Sequence, residues 1–199
     1  MMPAPDVIAF LESRRSSRPA MLSAPGPSSD ELETILRLAT RVPDHRKLAP
    51  WRFVVIDGEA RVTLGNHLAK IVEADSPEGE PATELRLQTE RERFTHAPVV
   101  IAAISAPHGT ERTPAVEQVL SCGAACFAMC LAANALGYHT AWVTDWPAYD
   151  ARARQLLGIG DGEEVAGFIH IGMAATDQDD RDRPALADVV TRWQDTESS

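Results

Sequence analysis

Three short segments carry residue types that bind anionic or carbonyl-bearing ligands. The first is Arg14-Arg15-Ser16, at the end of the first predicted helix. Guanidinium groups bind a phosphate or a polarised carbonyl through paired N–H donors, and a serine hydroxyl adds another donor. Basic residues also favour the last turn of any helix, because they complement its dipole. Taken alone, this segment leaves the binding role and the helix-end role equally open.

The second segment, Arg41 to His45, opens a proline-stiffened loop after the second predicted helix. A single histidine in a loop is most often only a surface residue, so that alternative stays open for His45. The third segment is Trp142-Val143-Thr144, at the C-terminal end of a predicted strand, a usual place for ligand contacts in layered folds. Its alternative is an aromatic patch that covers the edge of a sheet.

Familiar catalytic motifs do not occur in this sequence. It contains no Walker loop, no G-x-G-x-x-G fingerprint, no G-x-S-x-G elbow and no H-E-x-x-H zinc motif. Nucleophilic hydrolase and metalloprotease functions therefore have no support.

The cysteines Cys122, Cys126 and Cys130 repeat every four residues on a predicted helix and so share one face. At a rise of about 1.5 Å per residue, the outer two Cα atoms stand about 12 Å apart. Metal–sulfur bonds are about 2.3 Å long, so three thiolates at this spacing do not readily reach one ion. We interpret the three side chains as core packing and expect no metal site.

Predicted helices and strands that could position these segments alternate along the chain. The predicted helices cover residues 6–15, 29–41, 59–72, 82–94, 114–136 and 147–157, and the predicted strands cover 51–56, 98–105, 139–144 and 164–173. We expect the strand at 98–105 to be buried on both faces, and the first helix to turn Val7, Ile8, Phe10 and Leu11 inward. The spacing predicts one α/β or α+β layered domain over residues 1–199 and does not choose its topology.

The segment Ser121 to Leu136 is apolar nearly all round, and a soluble helix of this kind must be buried on every side. Either its own chain wraps it, or two copies pack across a dimer axis. The small residues Gly123, Ala124 and Ala128 would let two backbones approach closely. Symmetric dimers are the commonest oligomers, which favours the second interpretation.

Composition limits the partners and the location of the protein. A formal net charge of −10 disfavours nucleic acid and anionic membrane, which would repel the chain at long range. The longest nearly apolar run, from Cys122 to Leu136, is too short to span a bilayer, and the N-terminal residues lack a signal-peptide pattern. An odd number of cysteines suits a reducing compartment. We therefore expect a cytoplasmic protein.

Four stretches in fixed order carry a family resemblance. RRSS, RVPDHRKLAPWRFVVIDGEAR, EQVLSCGAACFAMCLAANALGYHTAWVTDW and VAGFIHIGMA closely resemble the FMN-binding, NAD(P)H-dependent nitroreductase family, above all its short bacterial branch with a Pro-Asp-His loop. The similarity runs in register from about Ala9 to Val190.

The resemblance implies nine residues that contact FMN. They are Arg14, Arg15 and Ser16 at the phosphate and ring, Arg41 and His45 reaching the flavin of the other subunit, Trp142, Val143 and Thr144 along the isoalloxazine or its chain, and Arg183 at the phosphate. Some relatives carry a basic residue at the position of Val143, so Val143 belongs to the site only if its backbone makes the contact.

The resemblance also implies an α+β, three-layer fold, in which a central, mostly antiparallel sheet is flanked by helices and the protein is dimeric through the long central helix. FMN would lie in each of two clefts at the interface. Hydride from NAD(P)H would reduce the flavin, and a nitroaromatic, quinone or similar small-molecule acceptor would then take two electrons in a ping-pong mechanism. The alternatives are a non-catalytic flavin carrier or sensor, and a flavin-consuming or dehalogenating enzyme on the same scaffold.

Overall fold

A five-stranded sheet lies at the centre of the computed structural model, which describes residues 4–176 and 178–194. The strands are β1 (Leu22–Ser23), β2 (Trp51–Asp57), β3 (Val99–Ser105), β4 (His139–Val143) and β5 (Glu164–Ala174). They lie in the order β1-β5-β3-β2, β4 also pairs with β5, and every pairing is antiparallel. The strand β5 therefore connects the two ends of the sheet.

Helices lie on both faces of this sheet. They are α1 (Pro5–Ser13), α2 (Ser29–Ala39), α3 (Gly58–Ala74), α4 (Glu84–Glu92), α5 (Ala115–Ala135), α6 (Ala151–Leu156) and α7 (Leu186–Val189). The helix predicted at 147–157 is instead a 3-10 turn, Trp146–Ala148, followed by α6. The reason is that Asp145 and Asp150 each cap a separate helix start with their carboxylates. The very short elements β1 and α7 have too few residues for a periodic signal.

Two apolar clusters fill the spaces between the layers. On one face, β3 residues pack with Leu68 of α3 and Ala153 of α6. On the other face, β3 and β5 pack with Ile35 of α2 and Met129 of α5. Every residue of β3 is buried, as its unbroken apolar run predicted. The predicted α+β, three-layer arrangement with a mostly antiparallel sheet is thus confirmed.

The prediction for the first helix is wrong in two respects. The helix ends at Ser13, so Arg14 and the residues after it are extended rather than helical. In addition, α1 buries no residue in the single chain: Val7 is 52%, Ile8 60% and Leu11 45% exposed. Helical periodicity indicates that one face is covered, and it does not indicate which chain covers it.

The long helix α5 is likewise only half covered by its own chain. Its buried face, with the three cysteines and Met129, packs on the sheet. Its outer face exposes a strip of large apolar side chains: Val116, Val119, Leu120 and Phe127. Of the two interpretations of this helix, the less favoured one, in which its own chain wraps it on every side, is therefore wrong. By length and composition alone, the 21-residue helix could cross a membrane. Its buried face packs on the sheet, however, as that of a core helix does.

The three cysteines pack as small apolar side chains on α5. A hydrogen bond with Cys122 and burial raise the pKa of the Cys126 thiol, and burial raises that of Cys130. Within residues 4–176 and 178–194, no group of three metal-ligating side chains is close enough to hold an ion.

Candidate functional site

The segment Arg14–Arg18 leaves α1 and runs beside β4. Its position is fixed by the backbone N–H of Ser17, which donates to the carbonyl of Thr140 at 2.8 Å. The Ser17 hydroxyl also lies 3.3 Å from Nδ1 of His139. Because the segment is extended, its side chains reach two separate cavities, one at each end.

The arginine cavity lies at the N-terminal end of this segment and has a volume of about 250 Å³. It is lined by Arg14, Arg15, Ser16, Asp179, Arg181 and Arg183. Four guanidinium groups thus converge in a protein whose net charge is −10. A concentration of guanidinium donors of this kind suits a phosphate group. The fold brings Arg183 to Arg14, Arg15 and Ser16, with which the family resemblance had grouped it.

Carboxylates already engage some of these arginines. Asp180 accepts from Arg15 at 2.9 Å and from Arg183 at 3.3 Å. Arg14, in contrast, has no carboxylate partner among the residues that the structure describes. Its guanidinium lies 5.5 Å from the ring centroid of Phe127 on α5, within cation–π distance. Arg181 likewise pairs with no carboxylate in the described part of the chain, but it is exposed, so Arg14 is the half-buried guanidinium that can pair with an added anion.

The strand-end cavity lies at the other end of the segment, where β4 stops, and has a volume of about 490 Å³. That volume falls within the range of about 300–1,000 Å³ typical of small-molecule sites. It is lined by Arg18, Pro19, Ala20, Arg86, Thr89, Arg93, Phe94, His96, Val143, Thr144, Asp145, Pro147, Phe168 and His170. The lining combines apolar and cationic residues, so it suits a flat ring with polar edges.

A fully buried carboxylate fixes one wall of the strand-end cavity. Glu90 of α4 accepts from the guanidinium of Arg93 at 2.7 Å and from Nε1 of Trp146 at 3.0 Å, and it pairs with Arg86 at 3.1 Å. Arg93 in turn donates to Asp145, just beyond β4. These contacts tie α4 to the end of β4, and both elements line the cavity.

His170 of β5 lies in the same wall and is only 2% exposed. Its ring stacks on Phe94, with the centroids 5.9 Å apart and the planes 19° apart. Burial, together with the nearby charges of His96 and Arg93, lowers the pKa of His170 to about 4. The imidazole is therefore neutral near pH 7. Its Nδ1 is buried and has no hydrogen-bond partner among the described residues.

The predicted residues Arg41, His45 and Trp142 line neither cavity in the single chain. Nδ1 of His45 lies 2.5 Å from Oε2 of Glu117, so the loop is tied to the start of α5. Arg41 is exposed just beyond α2. Trp142 is 41% exposed and donates through Nε1 to the carbonyl of Ala166 at 3.1 Å.

The loop that carries His45 has an unusual backbone. Arg46, Lys47 and Ala49 all have positive φ values, of 65°, 56° and 49°. The carboxylate of Asp44 holds this shape by accepting from the backbone N–H groups of Leu48, at 3.1 Å, and Ala49, at 2.7 Å. Non-glycine residues in this region are strained, and such strain is concentrated at functional sites.

Sequence reasoning missed the cationic and histidine side chains of the strand-end cavity. Arg86 and Arg93 come from α4, whose charged sequence resembles any solvated helix. His170 stands within an apolar strand and carries no motif. Arg18 lies two residues beyond the predicted Arg14–Ser16 segment, so extending the segment by two residues would have found it.

Comparison with known proteins shows the same architecture and similar sequences. The sequence model of the Nitroreductase family matches residues 11–173. A protein of Haemophilus influenzae, provisionally named an NAD(P)H nitroreductase, is 31% identical over 169 residues, which are 84% of this chain and 88% of that protein. YdjA of Escherichia coli (strain K12), provisionally given the same description, is 29% identical over 167 residues, covering 84% and 87% of the two chains.

Solved structures share the fold at lower identity. The nitroreductase-like family protein from Bacillus cereus superposes with a TM-score of 0.80, at 20% identity, over 98% of this chain and 100% of that one. A nitroreductase with bound FMN from Bacteroides fragilis gives a TM-score of 0.68, at 20% identity, over 95% and 99%.

Proposed function

The chain belongs to the nitroreductase family, and from that premise we propose that it is an FMN-dependent oxidoreductase that takes hydride from NAD(P)H and reduces nitroaromatic, quinone or similar electron-poor acceptors. One observation carries the proposal: the segment Arg14–Arg18 joins a cationic cavity to a ring-sized, partly apolar one. FMN has a phosphate at one end and a flat ring system at the other.

The residues present fit FMN. Arg14, Arg15, Ser16 and Arg183 would hold the phosphate through charge-assisted hydrogen bonds. Arg18, Val143 and Thr144 would border the ring system in the strand-end cavity. All these residues lie within one proposed domain that spans the chain.

Bound FMN would supply the redox chemistry, accepting hydride from NAD(P)H and passing two electrons to the acceptor in turn. The chain supplies binding and electrostatics. Arg18, Arg86 and Arg93 make the strand-end cavity positive, which favours negative charge on a group bound there. Glu90 partly offsets this potential and holds Arg93 in place. Phe94 and Phe168 exclude water from one side of the cavity.

A homodimer accounts for the apolar surfaces that the single chain leaves open. Large side chains are exposed on α1, α5 and the C-terminal residues: Val7, Ile8, Leu11, Val116, Val119, Leu120, Phe127, Leu186, Val189, Val190 and Trp193. Extended exposed apolar surface marks interfaces in soluble proteins. We propose that two copies pair through α5, and that Arg41 and His45 of one subunit then reach the FMN of the other. The proposed location is the cytoplasm.

Purification and acceptor assays test this function. The purified protein should be yellow, with about one FMN per chain, and heat should release a cofactor that chromatographs as FMN. It should oxidise NAD(P)H when a nitroaromatic or a quinone is present. A colourless protein that FMN cannot reconstitute would refute the proposal. A flavin-loaded protein that turns over no acceptor would instead indicate a carrier or sensor.

A further inference from the structure

We propose that Phe127 of α5 is a positioning residue for the phosphate of FMN: its ring holds the guanidinium of Arg14 at the arginine cavity and leaves the N–H donors of that group free. This inference rests on the proposed function, in which Arg14 contacts the phosphate, and adds to it a residue that lines neither cavity. Phe127 belongs to none of the three segments whose residue types suggested ligand binding.

The contact joins the start of the segment Arg14–Arg18 to the long helix α5. Cζ of Arg14 lies over the ring of Phe127, 5.5 Å from its centroid, within the range of a cation–π interaction. Arg14 follows the end of α1, where the chain is extended, so no helical turn fixes its side chain. A long side chain in an extended segment has many rotamers, and an aromatic ring beneath the guanidinium restricts them.

An aromatic ring holds an arginine differently from a carboxylate. The ring attracts the cation through its π face, whereas an oxygen atom takes up the N–H donors. Arg15 shows the second case, since its guanidinium donates to the carbonyl of Glu12 at 2.6 Å and pairs with Asp180 at 2.9 Å. Among the residues that the structure describes, the guanidinium of Arg14 donates only to the hydroxyl of Ser16, at 3.5 Å. It is thus held in place with most of its donors free for an anion.

Phe127 also belongs to the exposed apolar strip of α5, where it is 42% exposed, so the alternative is that it serves only to bury surface between subunits. That role would change the affinity for any flavin, because it acts through assembly. A role in positioning Arg14 acts only on a ligand that carries a phosphate. FMN and riboflavin differ in this group alone, so the ratio of their two Kd values separates the two roles.

Three substitutions on the strip apply this criterion. Phe127→Leu removes the π face and keeps a large apolar side chain. The side chain of Arg14 must then be ordered when the phosphate binds, which should weaken FMN about 2- to 10-fold relative to riboflavin. Phe127→Tyr keeps the π face and should keep the wild-type ratio. The control Leu120→Ala removes apolar surface elsewhere on the strip and should change both affinities in the same proportion.

Fluorescence titration of apoprotein gives the Kd values for FMN and riboflavin in each variant. In the Arg14→Ala background, Phe127→Leu should leave the ratio unchanged, because the side chain that it positions is gone. A ratio in Phe127→Leu equal to that of wild type would overturn the inference. So would an equal change in Phe127→Leu and Phe127→Tyr, or a change of full size in the Arg14→Ala background, since neither result depends on a ring that holds Arg14.

Carbon NMR of labelled phenylalanine tests the contact with the ring of Phe127 unaltered. FMN and inorganic phosphate should each shift the ring resonances of Phe127 in wild-type protein, because the bound anion changes the charge and position of the guanidinium over the ring. Inorganic phosphate should not shift them in Arg14→Ala. Unshifted Phe127 resonances in wild-type protein that has bound FMN would refute the role of Phe127 and leave the proposed function intact. Wild-type protein that binds no FMN would refute both.

Discussion

Replacing Arg14 by alanine should weaken binding of FMN and leave binding of riboflavin unchanged. Arg15 and Arg183 share Asp180, whereas Arg14 and Arg181 pair with no carboxylate among the described residues, and Arg14 is the more buried of these two. Its guanidinium is therefore the one that gains most from a bound phosphate. Riboflavin lacks the phosphate and so cannot use that contact.

The expected magnitude follows from the type of contact removed. A hydrogen bond to a charged group contributes about 1.5–3 kcal/mol, which corresponds to roughly a ten- to hundred-fold change in Kd. Arg14 is only half-buried, so the lower part of this range is expected. The substitution also removes the contact with Phe127, which lies within the protein and involves neither ligand.

The assay is fluorescence titration of apoprotein with FMN and with riboflavin, for wild type, Arg14→Ala and Lys70→Ala. Lys70 lies on the exposed face of α3, away from both cavities, so it controls for the loss of one positive charge. The quantity of interest is the ratio of the two Kd values, which cancels any general destabilisation. If Arg14→Ala weakens riboflavin as much as FMN, the assignment of Arg14 to the phosphate is wrong. If Lys70→Ala changes the ratio of the two Kd values as much as Arg14→Ala does, the effect is due to the net charge of the protein and not to a contact with the phosphate.

Three further predictions concern assembly, the loop and pH. Leu120→Asp places a charge on the exposed strip of α5. Circular dichroism should show that the subunit still folds, and light scattering should show a monomer that has lost FMN. A flavin-loaded dimer of this variant would contradict the proposed interface. His45→Ala should lower the affinity for FMN. In protein that is saturated with FMN and reduced beforehand, however, the single-turnover rate of oxidation by a nitro compound and by a quinone should stay within a few-fold of the wild-type rate. A loss of about a hundred-fold in both rates would indicate that His45 is a general acid. Because the pKa of His170 in the folded state, about 4, is lower than in the unfolded chain, near 6.5, the unfolded state binds more protons between these values. Wild-type stability should therefore fall by about 3 kcal/mol as the pH drops from 6.5 to 4, and urea unfolding of His170→Phe should lack this component.

Sequence patterns predicted the elements that local residues determine. The apolar run of β3 and the Ser28–Glu31 capping box of α2 both have purely local causes, and both occur in the structure. The same holds for Arg14, Arg15 and Ser16, whose proximity in the cavity follows from their proximity in the chain. Arg183 could be added only through a family resemblance, since nothing local connects it to them.

The remaining features depend on contacts between distant residues. Glu90 belongs to a charged helix and is nevertheless fully buried, because Arg93 and Trp146 satisfy its carboxylate. No periodicity distinguishes such a residue from its solvated neighbours. The apolar face of α1 was assigned to the core because its period is that of a covered helix, yet the single chain does not cover it. A pattern of burial does not specify whether the covering surface is in the same molecule.

If FMN binds as proposed, the segment Arg14–Arg18, held by its hydrogen bond to β4, would make that binding bivalent. The phosphate would bind weakly in the arginine cavity and the ring system weakly in the strand-end cavity, and the segment Arg14–Arg18 fixes the distance between these two sites. Once one end of FMN is bound, the other end is therefore present at a high effective concentration beside its own site. A mixture of inorganic phosphate and riboflavin should then occupy the two cavities with far lower affinity than FMN, in which the two groups are covalently joined. The hydrogen bond from Ser17 to Thr140 sets the spacing on which this gain depends, although neither residue lines either cavity. A change that lets the segment move would lower the affinity for the intact cofactor while leaving its two halves as weakly bound as before.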